Sequence, residues 1–112
     1  MAIPHAQAGD VIDVRPLGPA LAGARSHALF KSNDLEVIRL VLRTGQGLPP
    51  HGVSGEITLQ CLEGLIEFSC PAGLRELAAG QLIHATRNEI HGLRAIEDSS
   101  LLLTIVLQPG VG

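Results

Sequence analysis

Hydrophobic and polar residues alternate along short segments of this chain, and turn-forming residues separate the segments roughly every eight to twelve positions. No apolar repeat of about 3.6 residues continues for the length of a helix. Short strands with frequent turns are typical of an all-β sandwich or barrel. The predicted strands are 11–14, 26–31, 35–43, 57–62, 65–70, 74–77, 81–86, 90–96 and 101–107. Residues 16–24 and 44–50, which are rich in proline and glycine, are predicted to be loops.

The segment 57–70 has the form of a β-hairpin whose two-residue turn is Glu63-Gly64. If Leu62 faces Leu65 in this hairpin, the alternation of side chains places six apolar residues on one face. They are Ile57, Leu59, Cys61, Ile66, Phe68 and Cys70. The other face is mostly polar, so the alternation alone predicts which face is directed into the core.

The length and composition indicate a single small domain with an unusually apolar surface. A chain of 112 residues has room for one core. We expect residues 1–25 to form an N-terminal tail with a short strand and a loop, and residues 26–112 to form the barrel. Charged residues make up 17% of the chain, against about 25% in an average soluble domain. Burial of part of the surface in a second copy explains so few charges, and we therefore expect a homodimer.

Charge and hydropathy argue against two classes of partner. The net charge is -3, no run of Lys or Arg stands out, and Phe30 and Phe68 are the only aromatic residues, so we expect no nucleic-acid binding. The longest apolar run, 101–107, is far shorter than the ~20 residues of a membrane-spanning helix, so we expect no membrane role. The N-terminus does not resemble a secretion signal, which makes the cytoplasm the expected location. Cys61 and Cys70 are expected to be unbridged.

Two segments of the chain resemble the two sequence motifs of the cupin superfamily. The first motif has a glycine, five residues, His-x-His, three or four residues, a glutamate, six residues and a glycine; Gly45, His51 and Gly64 match it. Gly80 and His91 match the second motif, about fifteen residues further on. This resemblance implies a double-stranded β-helix, the jelly-roll-like barrel of cupins.

The chain departs from the cupin motifs at several positions that carry their chemistry. In cupins, three histidines and the glutamate usually hold one divalent metal inside the barrel. Val53 and Ile57 occupy two of those four positions here, so only His51 and His91 remain. In the second motif, the proline, glycine and asparagine positions are Thr86, Asn88 and Ala95.

The resemblance places His51 and His91 in one pocket of the barrel, which is the predicted functional site. The lining residues are predicted to be His51, Val53, Ile57, Leu59, Phe68 and His91. Apolar residues at the two lost ligand positions favour a small, largely apolar or weakly acidic ligand. Two imidazoles with ordinary pKa values near ~6.5 are also suited to proton transfer. The first hypothesis is therefore a small-molecule-binding cupin of unassigned activity, with no catalytic residue identified.

The alternative is a metal-dependent cupin enzyme of the dioxygenase, isomerase or decarboxylase type. His51 and His91 would then be ligands to a divalent transition metal such as Zn, Ni, Fe or Mn, although such sites normally take three protein ligands. His84 supplies the third nitrogen if its strand turns that side chain inward, but the opposite parity, with Ile83 and Ala85 inward, is equally open. Glu56 becomes a ligand only if its strand bulges.

A third interpretation is an interaction protein in which the barrel is only a scaffold. The retained histidines favour either of the first two hypotheses over this one. A single fold supports many chemistries, so the resemblance by itself does not select a reaction.

Overall fold

The computed structural model describes residues 5–52 and 54–107, and within these ranges it contains one short 3-10 helix and nine strands. The helix spans Gly18–Gly23. The strands are β1 (His27–Lys31), β2 (Leu35–Leu42), β3 (Gly47–Gly52), β4 (Ile57–Glu63), β5 (Leu65–Cys70), β6 (Gly73–Ala78), β7 (Leu82–Ala85), β8 (Ile90–Ala95) and β9 (Ser99–Val106). The prediction of an all-β fold is confirmed.

The strands form two antiparallel sheets. The five-stranded sheet has the order β1-β2-β9-β4-β7, and the four-stranded sheet has the order β3-β8-β5-β6. In the first sheet, β9 lies between β2 and β4 and pairs with β2 from Leu35↔Val106 to Leu42↔Ser99. The two sheets enclose one hydrophobic core in a jelly-roll arrangement, as in a cupin barrel.

The predicted hairpin between β4 and β5 is wrong. β4 pairs with β7 and β9, whereas β5 pairs with β6 and β8 in the other sheet. The chain crosses between the sheets at Gly64, whose φ is +93°. A Cβ atom at Gly64 would collide with the Ser99 side chain and the Asp98 carbonyl, so this corner requires glycine. A two-residue turn containing glycine is compatible with a hairpin or with a crossing between two sheets. Pairing with strands that are distant in the sequence determines which of the two forms.

The inward face predicted from the alternation is correct even though the strands do not pair. Leu59, Cys61, Ile66 and Phe68 are completely buried, and Ile57 is nearly so. Cys70, at the end of β5, is only half-buried. Residues of β4 and β5 face each other across the interior rather than side by side. The parity is the same in both arrangements because each strand still alternates between core and surface.

Three local predictions also need correction. Residues 11–14 form no strand, and the predicted loop at 16–24 contains the Gly18–Gly23 helix. The predicted loop at 44–50 overlaps β3, which includes Pro49 and Pro50. Proline is tolerated there because β3 is an edge strand and its pairing with β8 is interrupted at the prolines.

The two cysteines are free, as predicted. Burial raises the pKa of the Cys61 thiol. In the described ranges, no helix is long and apolar enough to span a membrane.

A polar network around Glu63 attaches the N-terminal segment to the five-stranded sheet. The Glu63 carboxylate accepts hydrogen bonds from the backbone N–H groups of Leu17 and Gly18, at 2.7 and 3.0 Å. It also accepts a bond from the Ser100 hydroxyl at 2.5 Å, and a guanidinium nitrogen of Arg39 lies 3.5 Å away. Burial of the carboxyl opposes ionisation, but these donors outweigh it and lower the pKa of Glu63.

Two arginines hold the same segment through its carbonyl groups. Arg39, which is 4% exposed, donates to the carbonyl of Arg15 at 2.5 Å and to the Ser100 hydroxyl at 3.1 Å. Arg43 donates to the carbonyl of Leu21 at 3.1 Å. These side chains of the sheet therefore bind the backbone of the segment.

Replacement of Glu63 by Gln should lower the free energy of unfolding by about 2 kcal/mol at pH 7, because charge-assisted hydrogen bonds are lost. The folded pKa of Glu63 is depressed, so its stabilisation is present above the unfolded value of ~4.3 and is lost as the pH falls through the folded pKa. Urea unfolding at pH 7 and at successively lower pH should show the gap between wild type and Glu63→Gln closing. The exposed Glu97→Gln variant is the control, and equal stability of both variants at pH 7 would contradict the prediction.

Candidate functional site

A bulge in β3 brings the two candidate histidines together. His51 in β3 pairs directly with His91 in β8, and the register shifts between Leu48 and His51. A Cβ atom at position 92 would lie 3.0 Å from the Leu48 carbonyl and from the Pro50 nitrogen. Gly92 therefore allows the bulged strand to approach β8 closely, and the bulge sets the position of His51.

Three rings form a row from the core to the surface. The ring centroids of His51 and His91 are 5.4 Å apart and the rings are tilted by 58°. On its other side, His91 stacks on Phe68 with a centroid distance of 5.5 Å and an angle of 20°. Phe68 is completely buried, His91 is 5% exposed and His51 is exposed. The two imidazole rings therefore lie between the buried ring of Phe68 and the surface.

The hydrogen bonds of the two imidazoles differ. Nδ1 of His51 lies 2.9 Å from the Pro49 carbonyl oxygen. A carbonyl only accepts, so Nδ1 carries the proton, and in the neutral ring Nε2 carries the lone pair. Nδ1 of His91 is buried and has no hydrogen-bond partner among the described residues. An unsatisfied buried polar atom costs about 1–3 kcal/mol, which marks His91 as an unusual core residue.

Electrostatics keep His91 neutral and Glu89 ionised. Burial lowers the pKa of His91, the neighbouring His51 lowers it further, and Glu89 acts in the opposite direction. Glu89 accepts bonds from the backbone N–H and the hydroxyl of Thr86, at 2.8 and 2.9 Å, and these bonds lower its pKa. The site therefore combines a neutral buried imidazole with a nearby carboxylate.

His84 lies apart from the histidine pair. Ala85 is buried and Ile83 is half-buried, so these two side chains of β7 face the core. His84 has the opposite parity, is exposed, and its Nε2 lies 2.6 Å from a carboxylate oxygen of Glu56. Among the described residues, no group of three His, Cys, Asp or Glu side chains is placed to hold a metal ion.

The remaining predicted pocket residues face the interior. Ile57, Leu59 and Phe68 belong to the buried core cluster, on the same side of the sheets as His91. Val53 lies outside the described residues. Among the surface cavities of the described ranges, one of about 320 Å³ is a groove on the outer side of the four-stranded sheet, beside Pro50 and Gly92, and neither His51 nor His91 lines it.

Two contributors to the site were not predicted from the sequence. One is the Pro49 carbonyl, a backbone group that only the bulge places beside an imidazole. The other is the Thr86–Glu89 turn, in which Glu89 interacts electrostatically with His91. The Thr-x-x-Glu spacing, which is typical of capping boxes, was the sequence signal that could have predicted the Thr86–Glu89 turn.

Comparisons with solved structures identify the fold. No family model and no curated protein matches this chain. A conserved protein of unknown function from Streptococcus pyogenes is 24% identical, with a TM-score of 0.74 over 98% of this chain and 97% of that chain. A cupin superfamily protein from Desulfitobacterium hafniense is 15% identical, with a TM-score of 0.75 over 92% and 100%.

An enzyme is also among the similar structures. Oxalate decarboxylase from Bacillus subtilis, which has Mn(II) centres, is 16% identical, with a TM-score of 0.63 over 72% of this chain and 23% of that chain. Neighbours thus include uncharacterised proteins as well as an enzyme. At these identities the similarity establishes a cupin fold for this chain.

Replacement of His91 by Phe should leave the free energy of unfolding at pH 8 unchanged or raise it by about 1 kcal/mol, because the unsatisfied Nδ1 is removed and the stacking on Phe68 is kept. The folded pKa of His91 is depressed, so the unfolded chain takes up the proton first as the pH falls below ~6.5. Wild type should therefore lose stability in that window, and His91→Phe should lose less.

Urea unfolding between pH 8 and 5 measures both effects. The exposed His84→Phe variant is the matched control. A loss of more than about 1 kcal/mol at pH 8 in His91→Phe would show that Nδ1 makes a stabilising bond and would refute the prediction.

Proposed function

We propose that this cupin-fold protein binds a small, largely apolar molecule at His51 and His91, without strong catalytic machinery. We assign to its apolar lining Ile57, Leu59 and Phe68, which belong to the buried core, and Val53, which lies outside the described residues. The observation that carries the proposal is the buried Nδ1 of His91, which has no partner in the described part of the chain. A ligand group at this atom would remove the cost of leaving it unsatisfied.

The surroundings of the pair support the proposal of a ligand site. Small-molecule sites are mostly apolar and contain a few placed polar groups that orient the ligand. Here the polar groups are two imidazoles, one exposed and one buried, against a fully buried phenyl ring. His51 is exposed, so a ligand can contact its ring from solvent.

The donor set fits a resident metal poorly. Catalytic zinc and non-haem iron sites normally have three protein ligands. In the described ranges no third His, Cys, Asp or Glu is placed to hold a metal ion together with the pair, and His84 is engaged with Glu56 on the outer side of β7. The proposed binding mode therefore uses the imidazoles themselves.

The second candidate is a metal-dependent enzyme of the dioxygenase, isomerase or decarboxylase type, with Zn, Ni, Fe or Mn at His51 and His91. One observation favours it. Nδ1 of His51 donates to the Pro49 carbonyl, and metal-binding histidines commonly donate their second ring nitrogen in this way. That bond leaves Nε2 as the nitrogen with a free electron pair.

A thermal-shift screen of small neutral molecules should give compounds that stabilise the full chain. At ten times its dissociation constant, a ligand adds about 1.4 kcal/mol to the free energy of unfolding. The stabilisation should persist in the control variant His84→Ala and disappear in the double variant His51→Ala/His91→Phe. Compounds that stabilise the double variant equally would place the binding site elsewhere and refute the proposal.

Elemental analysis of untagged protein, purified without chelator, separates the two candidates. The ligand-binding proposal expects no near-stoichiometric metal in wild type, His84→Ala or the double variant. Near-stoichiometric metal in wild type and His84→Ala that disappears in the double variant would establish the metal-dependent alternative instead.

We also propose that the protein is a homodimer that associates through the outer face of the five-stranded sheet. On this face β2 and β9 present apolar side chains, including Val37, Val41 and Leu102, all half-buried. At its margin, the paired residues Leu35 and Val106 are 36% and 39% exposed. Exposed apolar side chains such as Leu35 and Val106 at this margin favour association.

Sedimentation equilibrium should give twice the chain mass for wild type. Leu35→Glu should weaken the dimer by at least about tenfold, because a charge would be buried in the apolar interface. Leu74→Glu, on the outer side of the other sheet, is the control. A monomer at all concentrations would disprove this arrangement.

A further inference from the structure

The tautomer of His51 restricts which ligand group can bind it. Its Nδ1–H is used by the Pro49 carbonyl at 2.9 Å, so Nε2 of the neutral ring is a hydrogen-bond acceptor. A carboxylate is also only an acceptor, and it therefore makes no hydrogen bond with this nitrogen. A ligand group that binds Nε2 must carry an O–H or N–H donor.

His91 excludes a second class of ligand. Its Nδ1 is buried beside Phe68 and has no partner in residues 5–52 and 54–107. A purely apolar ligand would leave that nitrogen unsatisfied. A hydroxyl group that donates its one proton to Nε2 of His51 still has lone pairs, so it satisfies Nδ1 of His91 when this atom carries the proton.

The carboxylate beside the histidine pair disfavours an anionic ligand. Glu89 is held by two bonds from Thr86, and its charge interacts with His91. A negatively charged ligand at the pair would approach this carboxylate, whereas an uncharged ligand does not incur this repulsion.

We propose that the ligand of this site is an uncharged molecule with a hydroxyl group, such as an alcohol or a phenol, and that this group bonds to both His51 and His91. The inference rests on the proposed function and narrows it to one chemical class. The hydroxyl donates its proton to Nε2 of His51 and accepts a hydrogen bond from Nδ1–H of His91, while the apolar part of the ligand packs towards the core.

Three probes of similar size test the ligand class: phenol, toluene and benzoate. Each is titrated into the full chain, labelled with ¹³C-histidine, at about pH 8, where ordinary imidazoles are neutral. Phenol should shift the ring signals of His51 and His91 and should bind about tenfold more tightly than toluene or benzoate. The signals of exposed His84 and half-buried His27 serve as internal controls.

The His51→Ala variant provides the matched control. His51 is exposed, so its removal should leave the folded structure intact, which the remaining histidine signals report. In this variant the preference for phenol over toluene should fall to about twofold or less. A full tenfold preference would show that His51 does not recognise the hydroxyl and would overturn the inference.

The outcomes separate this inference from the proposed function. Tighter binding of benzoate than phenol, or equal binding of toluene and phenol, overturns the hydroxyl class while the binding site at His51 and His91 stands. If none of the probes shifts His51 or His91, both the ligand class and the proposed site are overturned.

Discussion

The crossing between the two sheets at Gly64 is the constraint on which the rest of this fold depends. The chain must turn sharply there with a positive φ, directly against Ser99 and Asp98, where a side chain has no room. The crossing sends β4 into one sheet and β5 into the other while both keep their apolar residues inward. Leu59 and Phe68 therefore belong to one core although their strands lie in different sheets. Because Phe68 supports His91, the position of the candidate site also follows from this corner.

Alternation of apolar residues predicted the architecture well because it reports burial directly. The all-β class, most strand positions and the inward faces of β4 and β5 follow from it. The pairing partners do not follow from the alternation, since a strand with the right alternation can form hydrogen bonds with any neighbouring strand. The hairpin prediction failed for this reason: β4 found β9, some forty residues away, instead of β5. β3 was missed because its prolines indicate a loop unless the strand lies at an edge and bulges.

The candidate site was only partly predictable. The cupin-like spacing selected His51 and His91, which the structure pairs across β3 and β8. Strand alternation alone did not determine whether the His84 side chain points inward or outward. In the structure Ala85 pairs with the buried Ile57, so the neighbouring His84 side chain lies on the outside. Neither the tautomer of His51 nor the unsatisfied Nδ1 of His91 could be predicted. The tautomer depends on the exact course of the bulged backbone of β3, and the unsatisfied nitrogen depends on the absence of a polar group around a buried atom. No local sequence pattern encodes either of these two features.

The central position of β9 also affects the order in which the protein can fold. β9 lies between β2 and β4, so these two strands cannot join one sheet until β9 is in place. Native pairing of the larger sheet thus joins segments that are dozens of residues apart, and closing such loops slows folding. During synthesis, the apolar strands β2 and β4 leave the ribosome well before their common partner. The nascent chain must therefore keep these strands from associating with other chains until residues 99–106 have been made.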